Sequence, residues 1–169
     1  MILSICPNPS IDYTVELDSL NVGMLNRVNN KTETYSGKAL NVAMALARLG
    51  ENSFATGFMF EKHAKLFEQK LDKEGVKHNF VCSPGGARLN YKIIDKKSML
   101  TEINDKGETV TMEKQSELLS LVENISKEAD FAVVSGSLPS GVKADYYYKL
   151  FSCMPQRVKK VADAEWQNM

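Results

Sequence analysis

The segment YSGKALNVAMALARLG, residues 35–50, predicts an amphipathic helix and anchors the interpretation of the whole chain. Its apolar residues recur at the spacing of one helical face, namely Leu40, Ala43, Met44 and Ala47. Gly50 stands where a left-handed C-terminal cap belongs, so we predict a helix over residues 39–49. A glycine and a lysine come directly before this run, and the predicted helix therefore begins at a charged and sterically open entrance.

Strand-like and helical runs alternate on either side of this segment. Short apolar strands are predicted at residues 2–6, 53–57, 77–81 and 157–162. The segment DFAVVSGSLPSG, residues 130–141, predicts a further, near-continuous apolar strand that runs into a Gly/Ser/Pro loop. Helices are predicted at residues 61–74, around 118–125 and at 144–153, in addition to the first one. This β-α-β-α order predicts an α/β fold with a parallel sheet and helices on both of its faces.

Four further stretches look extended but do not fit that alternation. They lie near residues 12–17, 25–35, 88–95 and 99–104, and the last two read as a hairpin that turns at DKKS. We expect them to form a small β-sheet beside the core, a lid that excludes water from a ligand crevice. No linker divides the chain, so residues 1–169 are expected to belong to one domain.

Composition narrows the class of partner. The 169 residues include 21 basic and 21 acidic ones, and this balance gives no electrostatic reason to expect nucleic acid or an anionic membrane. No run of about 18 apolar residues and no secretory signal pattern occurs, so we expect a cytoplasmic protein. Cys6, Cys82 and Cys153 are widely spaced and predict neither disulfides nor a metal site. The expected partner is a small molecule.

Polar residues collect in loops after the predicted strands and in the lid. Parallel sheets bind ligands beyond the carboxyl ends of their strands, which makes these loops the place to search. The four clusters are NPSID (residues 8–12), SGKALN (36–41), ARLNYK (87–92) and SGSLPSG (135–141).

Each cluster offers groups that suit a sugar phosphate. Gly37 allows close approach to a helix start that carries unpaired N–H groups, and Lys38 adds a full positive charge. Arg88, Asn90 and Lys92 alternate along a predicted strand and so share one face. The Asp12 carboxylate can accept hydrogen bonds from two sugar hydroxyls.

Every one of these features also has an ordinary structural explanation. Lys38 fits a solvated lysine near a helix start, since SGKALN matches neither GxGxxG nor GxxxxGK[ST]. Arg88 and Lys92 could be the solvent face of an edge strand. Asp12 could belong to a turn after Pro9, and SGSLPSG could be a tight strand-to-helix turn.

Taken together, in order and spacing, the four clusters resemble the N-terminal half of the ribokinase-like (PfkB) family of carbohydrate kinases. SGKALNVAMALARLG resembles the family motif GGKGxNVAxxLxxLG, and SGSLPSG matches its SGSLPxG turn. NPSID resembles the opening motif, and RLNYKI followed by TEIN resembles the lid strands that bind phosphosugars. The nearest group is the bacterial 1-phosphofructokinases, and the tagatose-6-phosphate kinases come next.

The resemblance implies phosphorylation of the free primary hydroxyl of a ketose phosphate, with ATP and Mg²⁺. It implies that sugar hydroxyls are held by Asp12 and Asn41. The remaining substrate contacts would come from Gly37, Lys38, Arg88 and Asn90, with Lys92 and Ser137 as additional candidates. Because lids pair in some relatives, a homodimer formed through the lid is also expected.

Two departures from the family pattern bear on function. Ser36 and Ala39 replace glycines, and a side chain there would cost on the order of 1 kcal/mol if the backbone needed positive φ. GFMFEKH also lacks the glycine pair that usually follows GF.

The family's Gly-Ala-Gly-Asp motif, which supplies the catalytic base and much of the ATP site, does not occur in the 169 residues. No catalytic residue is therefore assigned, and Asp163 is not expected to replace the base. We expect the N-terminal half of a kinase that binds its ketose phosphate weakly and transfers nothing. A non-catalytic sugar-phosphate-binding or regulatory module is the alternative, and a dinucleotide-binding oxidoreductase is disfavoured because no GxGxxG follows a strand.

Overall fold

The computed structural model describes residues 1–164 as two β-sheets with helices packed around the larger one. The helices are α1 (Lys38–Arg48), α2 (Ala64–Lys73), α3 (Met112–Ile125), which continues into a 3-10 turn (Ser126–Glu128), and α4 (Tyr146–Ser152). The strands are β1 (Ile2–Cys6), β2 (Ser10–Leu17), β3 (Asn30–Ser36), β4 (Ser53–Phe60), β5 (Lys77–His78), β6 (Val81–Ser83), β7 (Arg88–Asp95), β8 (Leu100–Asn104), β9 (Phe131–Ser135) and β10 (Lys159–Asp163).

The main sheet has the strand order β10-β9-β1-β4-β5, and β6 pairs with the far end of β4. All of these pairings are parallel. Residues 3–6 of β1 are all buried, and because successive side chains point to opposite faces, both faces of the sheet are covered. Helix α1 packs on β1 and β4, and α3 packs on β4 and β6. The predicted α/β fold with a parallel sheet flanked by helices is confirmed.

Helix α1 begins one residue before the predicted start and ends one residue before the predicted end. Its buried face comprises Ala39, Leu40, Ala43 and Met44, which provides the apolar stripe that the sequence indicated. Gly50 adopts φ +82°, the left-handed conformation expected after a helix. Gly37 precedes the helix in an extended conformation, and a side chain there would place Cβ only 2.7 Å from the Cys6 Sγ atom.

Strand β4 runs three residues beyond its predicted end. Phe58, Met59 and Phe60 are completely buried, and they pair with β6, which extends the sheet. Met59 and Phe60, which stand where the family pattern has a glycine pair, are therefore buried strand residues here. The strand predicted at residues 77–81 is in fact two short strands, β5 and β6, which pair with different parts of β4.

Three other elements differ from prediction in their boundaries. Helix α2 starts at Ala64 rather than at residue 61, because the His63 N–H donates to the Phe60 carbonyl in a turn. Helix α4 occupies only Tyr146–Ser152 of the predicted 144–153, and β10 is shifted from 157–162 to Lys159–Asp163. All five residues of β10 are exposed, and it is the last strand of the main sheet within residues 1–164.

The second sheet has the strand order β3-β2-β7-β8. Strand β2 pairs antiparallel with β3 and parallel with β7, and β7 and β8 form an antiparallel hairpin. The hairpin turns at DKKS, where Asp95 Oδ1 accepts hydrogen bonds from the N–H groups of Lys97 and Met99. Strand β3 begins at Asn30, later than the predicted residue 25, and residues 25–29 belong to the preceding connection. The role of the second sheet as a lid stays a prediction.

Gly57 should be the glycine least tolerant of substitution. It has φ +143°, and a Cβ there would lie 1.9 Å from the Cys6 carbonyl oxygen. We expect Gly57→Ala to lower the unfolding free energy by about 3 kcal/mol or more, because strand β1 must move to make room for the methyl group. Urea denaturation followed by circular dichroism measures this loss.

Gly75→Ala is the matched control for this prediction. Gly75 also has positive φ, at +72°, but apart from its chain neighbours no atom of residues 1–164 lies within 4 Å of the position that an added Cβ would occupy. Its loss should therefore be about 1 kcal/mol from backbone strain alone. Equal losses for the two variants would contradict the importance of the close contact with Cys6.

Candidate functional site

A polar cavity of about 310 Å³ lies where the second sheet meets the carboxyl ends of β1 and β9 and the start of α1. It is lined by Asn8, Ser10, Asp12, Ser36, Gly37, Lys38, Asn41, Arg88, Asn90, Lys92, Glu102, Asn104, Gly136 and Ser137. All eight residues predicted to contact substrate are in this group. Because loops and strands from distant parts of the chain converge here, the cavity has the location expected for a ligand site in a parallel α/β fold.

Strand register explains why the second sheet contributes so many polar groups. Asp12 pairs with Asn90 across β2 and β7, and Asn90 pairs with Asn104 across β7 and β8. Paired residues lie on the same face of a sheet, and residues two apart along a strand share that face. Lys92 and Glu102 are the next such pair along the hairpin. One face of the sheet therefore presents charged and amide groups to the cavity.

Asp12 is the centre of a hydrogen-bond network. Its Oδ1 accepts from Ser10 Oγ at 3.0 Å and from Asn90 Nδ2 at 3.1 Å, and its Oδ2 lies 3.1 Å from Lys92 Nζ. Burial alone would raise the pKa of Asp12, but the hydrogen bonds from Lys92, Ser10 and Asn90 together hold it below its ordinary value of 3.8. Asp12 is therefore a carboxylate at neutral pH, already held in position by its neighbours.

Lys38 and Asn41 project from the first turn of α1. Lys38 Nζ lies 3.8 Å from Asp163 Oδ2, and its side chain is 57% exposed, so the ammonium group is open to a ligand. Asp163 also accepts a hydrogen bond of 2.8 Å from Ser135 Oγ. Asn41 Nδ2 lies 3.3 Å from Ser36 Oγ. The first helical turn thus brings a cation and an amide to the cavity wall.

Cys6 lies beneath the start of α1. Burial raises the pKa of Cys6 to about 11, although backbone N–H groups of Asn8, Leu40 and Ala39 are directed towards its sulfur. The thiol is therefore neutral and inert at ordinary pH. The N–H groups of Ala39 and Leu40 at the helix start face this sulfur rather than the cavity. The positive charge that this wall offers a ligand therefore comes from the side chain of Lys38.

Several buried polar atoms at the cavity have no hydrogen-bond partner within the described residues. They are Arg88 Nε, Asn90 Oδ1 and Asn8 Oδ1. Asn8 Nδ2 lies 3.5 Å from Ser137 Oγ, which brings SGSLPSG to the same wall. Buried polar groups in folded proteins are nearly always paired, and an unpaired donor beside unpaired acceptors indicates a place for a polar ligand.

The cavity continues into a neighbouring one of about 410 Å³. The two share Asn8, Arg88, Asn104 and Ser137, and the second extends along Lys106 and the rest of SGSLPSG. Arg88 therefore lies between two open spaces. Its fork of N–H donors can reach an anion on either side.

Sequence reasoning did not assign a role to six other residues that line the cavity, namely Asn8, Ser10, Ser36, Glu102, Asn104 and Gly136. All six lie within motifs that had been noted. The alternation of Glu102 and Asn104 in TEIN was the available signal, because it places both on one face of β8. Without the pairing of β8 with β7, however, the identity of that face was undetermined.

Residues 1–164 offer no sign of two other kinds of site. No three or more His, Cys, Asp or Glu side chains in that range are placed to hold a metal ion. None of its helices has both the length and the apolar character that crossing a bilayer requires.

Comparison with known proteins agrees with this architecture. The family model described as pfkB family carbohydrate kinase matches residues 6–168. A tagatose-6-phosphate kinase from Staphylococcus epidermidis is 34% identical over the whole chain, which covers 54% of that relative. This chain belongs to the pfkB family of carbohydrate kinases, and it spans about half the length of the curated relatives that it matches.

Solved structures show the same fold. A protein from Thermotoga maritima, named as a possible 1-phosphofructokinase, superposes with a TM-score of 0.88 at 30% identity, over 99% of this chain and 54% of the other. Phosphofructokinase-2 from Escherichia coli, in complex with fructose-6-phosphate, gives the same TM-score at 22% identity, over 99% of this chain and 55% of the other. At that lower identity the likeness extends to the fold alone.

The Asp12 network should contribute to stability in a pH-dependent way. Asp12→Asn should lower the unfolding free energy at pH 7 by about 1 kcal/mol, because the amide cannot accept from Lys92 as a charged partner. A lowered pKa in the folded state means that the stabilisation is complete above the unfolded value and disappears as pH falls through the folded one. The difference from wild type should therefore be present at pH 7 and shrink below about pH 4.

Urea unfolding at a series of pH values checks this expectation. Asp145→Asn is a suitable control, since Asp145 forms an exposed ion pair with Lys149 at the start of α4 and should matter little. A difference between Asp12→Asn and wild type that stays constant down to pH 3 would contradict the network's role.

Proposed function

We propose that this chain forms the sugar-phosphate-binding part of an ATP-dependent ketose-phosphate kinase. The observation that carries the proposal is the convergence of Asp12, Lys38, Arg88 and Asn90 on one polar cavity that contains unpaired buried donors and acceptors. With Lys92 and Glu102 included, the cavity has three cationic and two anionic side chains. This composition suits a ligand that combines hydroxyls with one phosphate.

The residues divide by chemistry. Asp12 and Asn41 would hold sugar hydroxyls, since a fixed carboxylate and an amide both pair with hydroxyl groups. Arg88 and Lys38 would contact the existing phosphate, with Asn90 and Gly37 beside them. Arg88 is the better phosphate ligand because its guanidinium can bind two oxygens at once and its Nε is unpaired.

Lys92 and Ser137 would have secondary roles. Lys92 forms an ion pair with Asp12, so the Asp12 carboxylate already neutralises much of its charge. Ser137 lies beside Asn8 and could donate to a ligand oxygen from the opposite wall. A ligand that enters the cavity would compete for both side chains.

We favour fructose 1-phosphate as the substrate and fructose 1,6-bisphosphate as the product of the full-length enzyme. The structural relative named as a possible 1-phosphofructokinase supports this choice. Tagatose 6-phosphate is the alternative, supported by the curated relative at 34% identity. Both ligands place one phosphate on a ketose and would use the same groups.

ATP and Mg²⁺ would be the cofactors of the full-length kinase, as in other carbohydrate kinases of this kind. The groups described in this chain do not fit them. Residues 1–164 contain no acidic cluster for a divalent cation, and Gly-Ala-Gly-Asp is missing from the sequence. No step of phosphoryl transfer is therefore assigned to these residues, and we propose that the chain alone is inactive.

The rival proposal of a non-catalytic binding module relied on the altered glycine motif. Neither Ser36 nor Ala39 has positive φ, so replacing the family's glycines causes no backbone strain at either position. Ser36 lies at the end of β3 and Ala39 is fully buried in α1. These substitutions give no reason to consider the sugar-phosphate site defective.

A homodimer through the second sheet and a cytoplasmic location complete the proposal. The sheet and the connection between β2 and β3 expose several large apolar side chains, namely Val22, Met24, Leu25, Tyr91, Leu100 and Ile103. Tyr91 and Ile103 pair across β7 and β8 on one face of the sheet, and exposed apolar residues that lie together are typical of a protein interface.

Calorimetric titration with fructose 1-phosphate tests the binding site. We expect saturable binding to the wild-type chain and a loss of more than about tenfold in affinity for Arg88→Ala, because a charged bidentate contact disappears. Arg48→Ala is the matched control, since Arg48 is an exposed arginine of α1 paired with Glu74 outside the cavity. Competition by tagatose 6-phosphate compares the two substrates. Absence of heat from a folded sample would contradict the proposal.

Coupled detection of ADP release tests the assignment of inactivity. With fructose 1-phosphate and MgATP, we expect no release above background, because no positioned base or nucleotide site is assigned to this chain. Turnover by the purified 169-residue chain that disappears in Arg88→Ala would overturn this expectation.

A further inference from the structure

The segment that delivers Arg88 to the cavity is fastened to the turn between β4 and α2. The N–H groups of Glu61 and Lys62 donate to the carbonyls of Ser83 and Gly85, each at 3.1 Å. The third link runs the other way, since the Ala87 N–H donates to His63 Nδ1 at 3.1 Å. It is the link nearest to Arg88, and the only one of the three that depends on a side chain.

His63 is itself held firmly. Its N–H donates to the Phe60 carbonyl at 3.0 Å, and its carbonyl accepts from Leu66 and Phe67 at the start of α2. The imidazole packs against Gly86, where an added Cβ would lie 3.0 Å from His63 Cε1. The backbone of His63 is thus fixed, and its ring lies between Gly86 and the Ala87 N–H.

The link requires a neutral ring. A backbone N–H can only donate, so Nδ1 must carry a lone pair and the ring proton must be on Nε2. Protonation at Nδ1 would replace this acceptor with a second donor. Ala87 is only 4% exposed, so its N–H would then be left in a buried environment without that partner.

We propose that neutral His63 is a positioning residue for Arg88, and that its protonation weakens sugar-phosphate binding. The inference rests on the proposed function, because Arg88 is the principal phosphate contact there. Among ordinary side chains, histidine is the one whose charge changes between about pH 5 and 8.

Charged and titratable groups of both signs surround the imidazole. They are Lys62 on the same turn, Tyr13 of β2, Glu33 of β3, and Asp105 and Glu108 after β8. Tyr13, Lys62, Asp105 and Glu108 line one cavity with His63, on the opposite face of β2 and β7 from Asp12 and Arg88. His63 therefore lies outside the cavity that contains Asp12 and Arg88.

The first test needs no ligand. In wild-type protein, the ¹⁵N–¹H signals of the Ala87 amide and of Arg88 Nε should shift with the titration of the His63 ring. In His63→Asn they should not shift, because Asn Oδ1 can accept from Ala87 at the same place and does not titrate. His78→Asn removes the other histidine and should leave the wild-type behaviour intact. An Ala87 signal that ignores the His63 titration overturns the link.

The second test measures binding of fructose 1-phosphate from about pH 8 to about pH 5.5. The ligand's phosphate has its own ionisation near pH 6, which is common to all variants, so the ratio of wild-type to His63→Asn affinity isolates the histidine. We expect this ratio to fall by about fivefold, the effect of losing one net hydrogen bond. His63→Ala should be weaker by a similar factor at pH 8, and His63→Asn should restore the affinity.

The outcomes separate the two proposals. A ratio that does not change with pH, or a His63→Ala variant that binds as well as wild type, overturns the effect of His63 on binding. A wild-type chain that binds no sugar phosphate at any pH overturns the proposed function instead. In that case the Ala87 and Arg88 signals still decide whether His63 positions Arg88.

Discussion

The close contact around Cys6 is the constraint on which the rest of the structure depends. Cys6 ends the central strand β1, and its carbonyl faces Gly57 of β4 at a distance that no side chain could share. Its sulfur faces Gly37, which leads into α1 with similarly little space. Two glycines thus allow the main sheet and the first helix to meet at one point. The second sheet begins four residues after Cys6 and returns at Ser36, so the cavity is built around the same point.

The charges in the cavity are arranged so that the folded protein already satisfies some of them. Asp12 binds Lys92 and is held ionised by three hydrogen bonds. Lys38 has a looser and more exposed partner in Asp163. Arg88, by contrast, keeps a buried Nε that has no hydrogen-bond partner among residues 1–164 and lies between two open spaces. The strongest vacant hydrogen-bonding capacity of the site is therefore at Arg88, and any polar ligand would gain most by meeting it there.

Much of the fold could be predicted because its signals are local. The apolar stripe of α1 and the buried run of β1 are periodic patterns, and they were located to within one residue. Strand β4 was predicted too short because Phe58 to Phe60 are buried on both faces, and such a run shows no alternation that would mark its end. Most of the cavity residues could be predicted because they lie in recognisable motifs. Asn104 could not, because only the register of β8 with β7 places it on the cavity face, opposite Asn90. His63 carried no signal, since its partner is a backbone N–H far along the chain.

The exposed strand β10 has a consequence for how the 169-residue chain behaves in solution. Its five residues are exposed, and Val161 and the neighbouring Phe131 of β9 present apolar surface beside an open row of backbone groups. Such an edge can act as a template for strand addition by a second molecule, which leads to aggregation. Lys159 and Lys160 oppose this, since charge on an edge disfavours stacking, and Lys159 Nζ covers the Phe131 ring at 5.1 Å. The colloidal behaviour of the chain would thus depend on two lysines that lie outside the polar cavity.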